Sequence, residues 1–311
     1  MADATTAPPL RTRVYVDGYN LYYGCLKNTH FKWLDLLPLF EQHILPSSVL
    51  PGRPSTLLPL GIKFFTAKIL EKAASAPDSV SSQARYHTAL RKMHNGRIDV
   101  VEGYYSLIES KAKIVDAESP EKWPRDCKEI LVWKLEEKQS DVNLALQAYH
   151  DAITGGVDQV VIVTNDTDIA PALKLIRTHT KVIIGLVIPT CTQVRIPNTA
   201  LVEQAHWVRS HITENELAVS QLPRVIPGRK PTLKPESWYA RPDLLEQVLE
   251  LATPIRGSRG KAFKWMEEKN PYMDGLTPID LIETDEGAAK VIRYIRQYLA
   301  DKSTSSTLIR P

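Results

Sequence analysis

Four aspartates stand where apolar strands end or helices begin, and carboxylates placed this way can hold a cation. Asp17 closes the strand in Arg13-Val14-Tyr15-Val16-Asp17-Gly18-Tyr19-Asn20. Asp141 follows Lys138-Gln139-Ser140 and opens an amphipathic helical pattern. Asp166 and Asp168 lie in Asn165-Asp166-Thr167-Asp168, directly after the apolar run Val160-Val161-Ile162-Val163-Thr164. In an open α/β sheet the carboxyl ends of the strands face one crevice. Carboxylates gathered there repel one another unless a cation lies between them. Hard oxygen ligands point to Mg2+ or Mn2+. Taken singly, each aspartate also reads as a turn former or helix cap, as Asp141 and Asp168 would for their helices. Four independent caps converging on one crevice is the less economical account.

The neighbouring residues carry two readings each. Asn20 can donate its amide to a phosphate or orient a metal-bound water, or it can be a turn residue. Lys138 can balance the carboxylates or hold a phosphate, or it can be a solvated lysine. Glu136 and Glu137 read equally as exposed charge. Thr164 can hydrogen-bond a scissile phosphate or merely finish a β-branched strand. Arg85, Arg91, Lys92 and His94 on one helix suit a polyanion, although a solvated helix face is the more frequent meaning of such charges. Tyr19, Tyr22 and Tyr23 can stack on bases, with at least two of them expected in the core.

The elements that must position these residues alternate strand and helix. Strands are expected at Val14–Asp17, Ile62–Ile69, Ile98–Tyr105, Ile130–Leu135, Val160–Thr164 and Val182–Ile188. Helices are expected at Trp33–His43, Ser81–His94, Ser140–Ile153 and Ile169–Thr178, from apolar spacing at i, i+3, i+4. Asn95-Gly96 and Gly155-Gly156 supply stops. Such alternation implies parallel βαβ units and a doubly wound α/β sheet covered on both faces. The continuous apolar runs agree, since buried parallel strands lack a polar face. The first strand and the fourth-strand region are expected side by side at the switch point, bringing Asp17 near Asp166 and Asp168. Leu45–Leu60, rich in proline, is expected as an irregular loop.

Composition shifts after this series. Leu222–Pro235 carries four prolines and the basic residues Arg224, Arg229, Lys230 and Lys234 with no acid, and reads as an extended tail or linker. Beyond Arg241 the pattern is wholly helical, with helices expected at Asp243–Ala252, within Gly257–Glu268, at Pro278–Ile282 and at Asp285–Ala300. This small all-helical domain of roughly 60 residues is near the lower size limit for independent folding. The polar tail Asp301–Pro311 is expected to be mobile.

Bulk properties exclude several classes. The 311 residues allow one large domain or two smaller ones, and 43% hydrophobic content is ordinary for a soluble globular chain. A net charge of +3 neither requires nor opposes a nucleic-acid partner. Cys25, Cys127 and Cys191 lack CxxC spacing, which supports neither a zinc ribbon nor a disulfide framework. They are expected as reduced thiols, and a cytoplasmic location follows as an expectation. No apolar leader or membrane-spanning stretch is visible. A dinucleotide fingerprint, a Walker loop, a G-x-S-x-G elbow and an H-E-x-x-H pair are all lacking.

Three motifs then carry a resemblance. Val14-Tyr15-Val16-Asp17-Gly18-Tyr19-Asn20-Leu21-Tyr22-Tyr23-Gly24 resembles the opening motif of NYN-domain proteins, the PIN-like, LabA-like nucleases. Glu137-Lys138-Gln139-Ser140-Asp141-Val142-Asn143-Leu144-Ala145 resembles their central motif, and Thr164-Asn165-Asp166-Thr167-Asp168-Ile169 their third. Gln83–Leu90 also looks like a stretch common in bacterial members. The likeness covers residues 11–238 and implies a PIN-like fold. It makes Asp17, Asp141, Asp166 and Asp168 the acidic metal-binding positions and Asn20 the asparagine after the first aspartate. Gln139 departs from the pattern, since a glycine is common there. Residues 241–300, through Ala262-Phe263-Lys264-Trp265-Met266, Thr277-Pro278-Ile279-Asp280-Leu281-Ile282 and Thr284-Asp285-Glu286-Gly287-Ala288, resemble the toxin-binding domain of MbcA/ParS/Xre antitoxins. That likeness implies a protein partner or self-association.

The resemblance implies a metal-dependent endoribonuclease. Asp17, Asp166 and Asp168 would ligate Mg2+ or Mn2+. Asp141 would ligate or orient the attacking water, and Asn20, Thr164 and Lys138 would position single-stranded or looped RNA. A second reading is a protein-interaction module acting through residues 241–300. A third is a phosphatase of small esters. A nuclease joined to an antitoxin-like domain implies toxin–antitoxin or defence biology.

Overall fold

The computed structural model describes residues 8–47, 53–191 and 195–307. The chain divides into two compact units, Met1–Lys234 and Pro235–Pro311. The first is built on β1 (Leu10–Asp17), β2 (Ser55–Lys68), β3 (Ile98–Lys113), β4 (Glu129–Lys138), β5 (Gln159–Val163), β6 (Ile183–Val187) and β7 (Trp207–Arg209). Their order across the sheet is β4-β3-β2-β1-β5-β6-β7. Every neighbouring pair is parallel except β3 and β4. The chain leaves β1 on one side through β2 and β3 and returns on the other at β5. The switch point therefore lies between β1 and β5, where a parallel sheet opens a crevice.

The principal helices of this unit are α1 (Gly18–Leu21), α2 (Ser79–Met93), α3 (Ser140–Ile153) and α4 (Ala170–His179). Successive strand residues point to opposite faces of a sheet, and Phe64 and Phe65 show both faces covered. Phe65 packs with Tyr15, Leu144, Ala148, Leu173 and Ile176 beneath α3 and α4. On the other face, the Phe64 ring meets Tyr86 and His87 of α2, each with centroids 6.1 Å apart. This burial of both faces is why the central strands read as unbroken apolar runs.

One buried acid fixes how α3 lies on the sheet. Asp151, near its C-terminus, accepts a hydrogen bond from the Tyr15 hydroxyl at 2.6 Å. It also pairs with Lys63 at 3.0 Å and Arg13 at 2.7 Å. Burial works against its charge, yet hydrogen bonds from Tyr15, Lys63 and Arg13 hold its carboxyl below the usual range. The clamp ties the end of α3 to β1 and β2, leaving its first turn, with Asp141, at the carboxyl edge of the sheet.

Several expectations need correction. The fourth strand, β4, does not stand beside β1; it is an edge strand paired antiparallel with β3, with Tyr104 opposite Lys138. It is β5 that adjoins β1. Only the short 3-10 turn Pro124–Asp126 lies between β3 and β4, so they form a long hairpin, and both run further than their apolar residues indicate. Residues 48–52 lie outside the described part, but β2 already begins at Ser55, inside the expected Leu45–Leu60 loop. The expected helix at Trp33–His43 starts later, at Leu36 after the Asp35 cap, and continues as a π-helical turn over Leu39–Ile44. Leu222–Pro235 is not a free linker. It contains the ribbon β8 (Val225–Ile226) and β9 (Thr232–Leu233). Lys92 of α2 holds that ribbon, donating to the Lys230 carbonyl at 2.6 Å and the Thr232 hydroxyl at 2.9 Å. Proline bars helix there but not a short two-stranded ribbon.

The second unit contains α5 (Pro242–Arg256), α6 (Arg259–Met266), α7 (Pro278–Leu281) and α8 (Asp285–Thr307). Gly257 adopts φ 84 between α5 and α6, a left-handed conformation that costs glycine least. The Ser258 side chain then caps α6 by accepting from the Lys261 amide. Leu245, Leu249, Phe263, Met266, Val291 and Ile295 share one apolar core. Among the described residues, no helix is long and apolar enough to cross a membrane.

Leu144 is fully buried one turn after Asp141. Leu144→Ala is expected to lower the stability of the first unit by about 2–5 kcal/mol through lost burial and a residual cavity. Urea unfolding followed by near-UV dichroism measures this, and an unchanged midpoint would contradict the packing described.

Candidate active site

At the carboxyl edge, one buried carboxyl group organises its surroundings. Asp17 ends β1, caps α1, and is 5% exposed. The Asn20 backbone amide donates to its Oδ1 at 2.9 Å and the Asn20 side-chain amide to its Oδ2 at 2.7 Å. The Thr164 hydroxyl, just beyond β5, donates to the same Oδ2 at 2.7 Å. Thr164 Oγ1 in turn accepts from the Asp166 amide at 3.1 Å, and Asp166 Oδ1 accepts from the Asp168 amide at 3.0 Å. A hydrogen-bonded chain thus runs from α1 through Asp17 to the loop after β5.

The cap readings fall out differently from expectation. Asp17 and Asp166 are the residues whose side chains cap. Asp141 does not cap α3, since the residue before that helix is Gln139, which makes no side-chain cap bond. Asp168 does not cap α4, which is preceded by Ile169. Gln139 adopts φ 77, a left-handed conformation that side chains rarely take.

Burial pushes the Asp17 carboxyl up, against the hydrogen bonds from Asn20 and Thr164, and the charge of Asp166 adds to the rise. Asp141 is pushed up to about 7, first by burial and then by the charges of Asp17, Glu137, Asp166 and Asp168. The four sequence-identified aspartates are therefore electrostatic neighbours. Glu137 joins them: burial and the Asp17 charge raise its carboxyl, opposed by a hydrogen bond from Ser140. Lys138 instead pairs with Glu136 at 2.6 Å. Alternation along β4 puts Glu137 and Lys138 on opposite faces; that parity, counted from a known register, is the signal that would have picked out Glu137.

An aromatic wall borders the carboxylates. Tyr19, Tyr22 and Tyr23 are 45%, 38% and 41% exposed, so none is the core residue that two of them were expected to be. The Tyr19 and Tyr23 rings lie 4.4 Å apart, and the Lys27 ammonium sits 4.6 Å from the Tyr23 ring centre. The Tyr19 hydroxyl is pushed up to about 12 by burial, its hydrogen bond to Tyr23 and the nearby Glu137 and Asp17 charges. Burial likewise raises Tyr105, with Glu137, Tyr19, Tyr23 and Asp17 adding to the effect. Tyr105 is a further wall residue, one that motif spacing does not reveal.

The expected Mg2+ or Mn2+ centre is corrected. Among the described residues, no group of three or more His, Cys, Asp or Glu side chains is arranged to hold a metal ion. Asp17 turns its oxygens to Asn20 and Thr164, and burial together with the charges of the neighbouring acids pushes Asp141 up.

This has a sign. With its carboxyl raised to about 7, folded Asp141 keeps a proton that the unfolded chain releases near pH 4. Its contribution to stability is therefore present below about pH 4 and is lost as pH rises through 7. Asp141→Asn is expected to gain about 1–2 kcal/mol over the parent at pH 8, after allowance for solvent screening at this half-exposed site. The gain should vanish near pH 3. Urea titrations across pH 3–8 measure it; equal stabilities at pH 8 would refute the electrostatic account.

Residues 251–299 match the antitoxin Xre/MbcA/ParS C-terminal toxin-binding domain. Over 300 residues, 94% of this chain and 96% of the other, the sequence is 63% identical to 6-hydroxy-3-succinoylpyridine 3-monooxygenase HspA of Pseudomonas putida (strain DSM 28022 / S16). A crystal structure of a protein of unknown function from Vibrio parahaemolyticus RIMD 2210633 aligns at 15% identity and TM-score 0.35, covering 69% of this chain and 98% of that one. The monooxygenase relative overturns the expected ribonuclease acting on RNA, and with it the metal-dependent hydrolase chemistry; the toxin-binding-domain match supports a possible protein partner. At 63% identity over nearly its whole length, the chain belongs to the family of 6-hydroxy-3-succinoylpyridine 3-monooxygenase HspA.

Proposed function

We propose that this protein is a monooxygenase acting on a hydroxylated pyridine of the 6-hydroxy-3-succinoylpyridine kind. The observation that carries this reading is the 63% identity across 94% of the chain. The candidate site supports it chemically. Tyr19 and Tyr23 offer exposed aromatic surface on which a heteroaromatic ring can stack. Asp141, with its carboxyl raised to about 7, is half ionised at neutral pH and suited to accept a proton. In such a substrate the 6-hydroxyl stands para to carbon 3, so its deprotonation pushes electron density to that carbon. Asp141 is therefore proposed as the general base, with Asp17, Glu137, Asp166 and Asp168 setting its proton affinity. Asn20 and Thr164 hold Asp17. The succinoyl carboxylate would be repelled by this cluster and would extend toward the Lys27 ammonium beside Tyr23.

Monooxygenation needs two electrons besides dioxygen, and a flavin is a group that can supply them to oxygen. The crevice does not fit the phosphate end of a flavin. Five carboxylates surround it, and β1 is followed by Gly18-Tyr19-Asn20 rather than a glycine-rich phosphate cradle.

Two further readings go with this one. Residues 11–238 form a PIN-like, doubly wound domain, on the strength of the four motif aspartates gathered at the carboxyl edge about the β1/β5 switch point. Residues 241–300 form a protein-interaction domain, on the strength of the toxin-binding-domain match. Tyr272, 77% exposed on that unit, is proposed to lie at its contact surface.

Purified protein supplied with 6-hydroxy-3-succinoylpyridine, NADH and oxygen, with and without added flavin, is expected to consume substrate and oxygen together. Asp141→Asn should lower kcat by about 10²–10⁴-fold while the chain stays folded. Absence of turnover under conditions where the Pseudomonas relative is active would refute the reading. Tyr272→Ala is expected to leave turnover intact and to shift the mass seen by light scattering, or to weaken capture of a purified toxin of the cognate type. No change in either would count against a contact surface there.

A further inference from the structure

Two cysteines 166 residues apart meet beside the candidate site. Cys25 lies in the π-helical turn Tyr22–Leu26 that follows α1, and Cys191 follows β6. The Cys191 thiol donates to the Cys25 carbonyl at 3.6 Å, and the two thiols are close enough to shift each other's proton affinity. The backbones are pressed together at the same place. A Cβ built on Gly24 would stand 1.7 Å from the Pro189 carbonyl oxygen and 3.5 Å from Arg195 Nη1. Only glycine permits that approach, so the sequence keeps these two segments in register for the sulfurs. Cys127, the third cysteine, lies in the β3–β4 connection and has its own partners, the Lys122 and Trp123 carbonyls.

We propose that Cys25 and Cys191 are an oxidation site, closing to an intramolecular disulfide when the protein meets a peroxide. The pair is asymmetric in the way this chemistry requires. Cys191 is half-buried, and the hydrogen bond from Cys25 holds its thiol below the usual range, which favours the attacking thiolate. Cys25 is 3% exposed; its hydrogen bond to Cys191 and its burial push its thiol up, so it stays a thiol until needed. The Cys191 thiolate attacks one peroxide oxygen, the O–O bond breaks, and a sulfenic acid forms with release of water or an alcohol after protonation. Cys25 sulfur then attacks Cys191 sulfur, the S–O bond breaks, and hydroxide leaves as water with the Cys25 proton. Two thiols and one hydroperoxide thus give one disulfide, one alcohol (water, from hydrogen peroxide) and one water. A monooxygenase that activates dioxygen can itself release hydrogen peroxide when oxygen activation is not coupled to substrate. The pair would then sense uncoupled turnover, a role that rests on the proposed activity, whereas the cross-link itself does not. Closure would pin the turn bearing Tyr22 and Tyr23 to the segment after β6, and so restrain one wall of the crevice.

The full-length protein is treated with hydrogen peroxide under native conditions, blocked with a thiol reagent, digested without reduction and mapped by mass spectrometry. The expected result is a Cys25–Cys191 linked peptide, loss of two of the three titratable thiols, and recovery of all three with dithiothreitol. The link should persist in Cys127→Ser and be missing in Cys191→Ser. Peroxide that leaves both residues as thiols, or carries Cys191 to a sulfinic acid without a link, would overturn the proposal. KM for the pyridine substrate, measured before and after oxidation, is expected to rise at least twofold; a link without that change would remove the coupling to the site and leave the oxidation site standing.

Discussion

The carboxyl group of Asp17 is shared by donors from two directions, and the arrangement of the site depends on that sharing. A buried carboxylate is costly unless its oxygens are satisfied. Asn20 supplies two hydrogen bonds from the turn after β1, and Thr164 supplies one from the end of β5. The bond to Thr164 crosses the switch point of the sheet. It fixes the start of the loop that carries Asp166 and Asp168, because Thr164 also accepts from the Asp166 amide. Two neighbouring strands are thereby locked at the edge where a ligand can enter.

α3 is held at its two ends by opposite electrostatic conditions. Near its C-terminus, Asp151 is surrounded by Arg13, Lys63 and the Tyr15 hydroxyl, and its charge is satisfied. At its N-terminus, Asp141 faces the charges of four other acids. The positive end of the helix dipole favours an anion there, but burial and repulsion outweigh it and leave the group titrating about 7. The satisfied end anchors the helix; the unsatisfied end is where proton transfer is available.

Fold and motif do not by themselves fix chemistry. The three acidic motifs resemble those of NYN-type nucleases, and the aspartates do gather as those motifs imply. The sequence kinship nonetheless lies with a monooxygenase. A ring of carboxylates answers its own repulsion either by binding a cation or by taking up protons. Which answer a given crevice uses depends on the placement of oxygens and donors within it, a matter of ångströms that a motif does not encode. Here Asn20 and Thr164 occupy the oxygens of the central aspartate.

Much of this was legible along the chain. The apolar runs Val160–Val163 and Val182–Ile188 announced buried parallel strands because both faces of such a sheet are covered. The 3.6-residue periodicity marked α3 and the helices of the second unit because each buries one stripe. That Asp17, Asp141, Asp166 and Asp168 lie near one another could be expected because strand ends and helix starts of an α/β sheet share an edge. What the sequence could not decide were relations between segments distant in the chain. The pairing of β4 with β3 rather than β1 depends on a hairpin whose exposed apolar residues carry no signal of partner. That pairing brings Glu137 to the acids and turns Lys138 toward Glu136. The exposure of Tyr19, Tyr22 and Tyr23 follows from a short helix lying at the crevice rim, where tyrosine composition alone is equally consistent with a core. Cys25 and Cys191 were two unrelated thiols until the turn after α1 met the segment after β6. Local pattern records which face of an element is apolar; only the closed sheet determines which side chains from separate elements come within reach of one another.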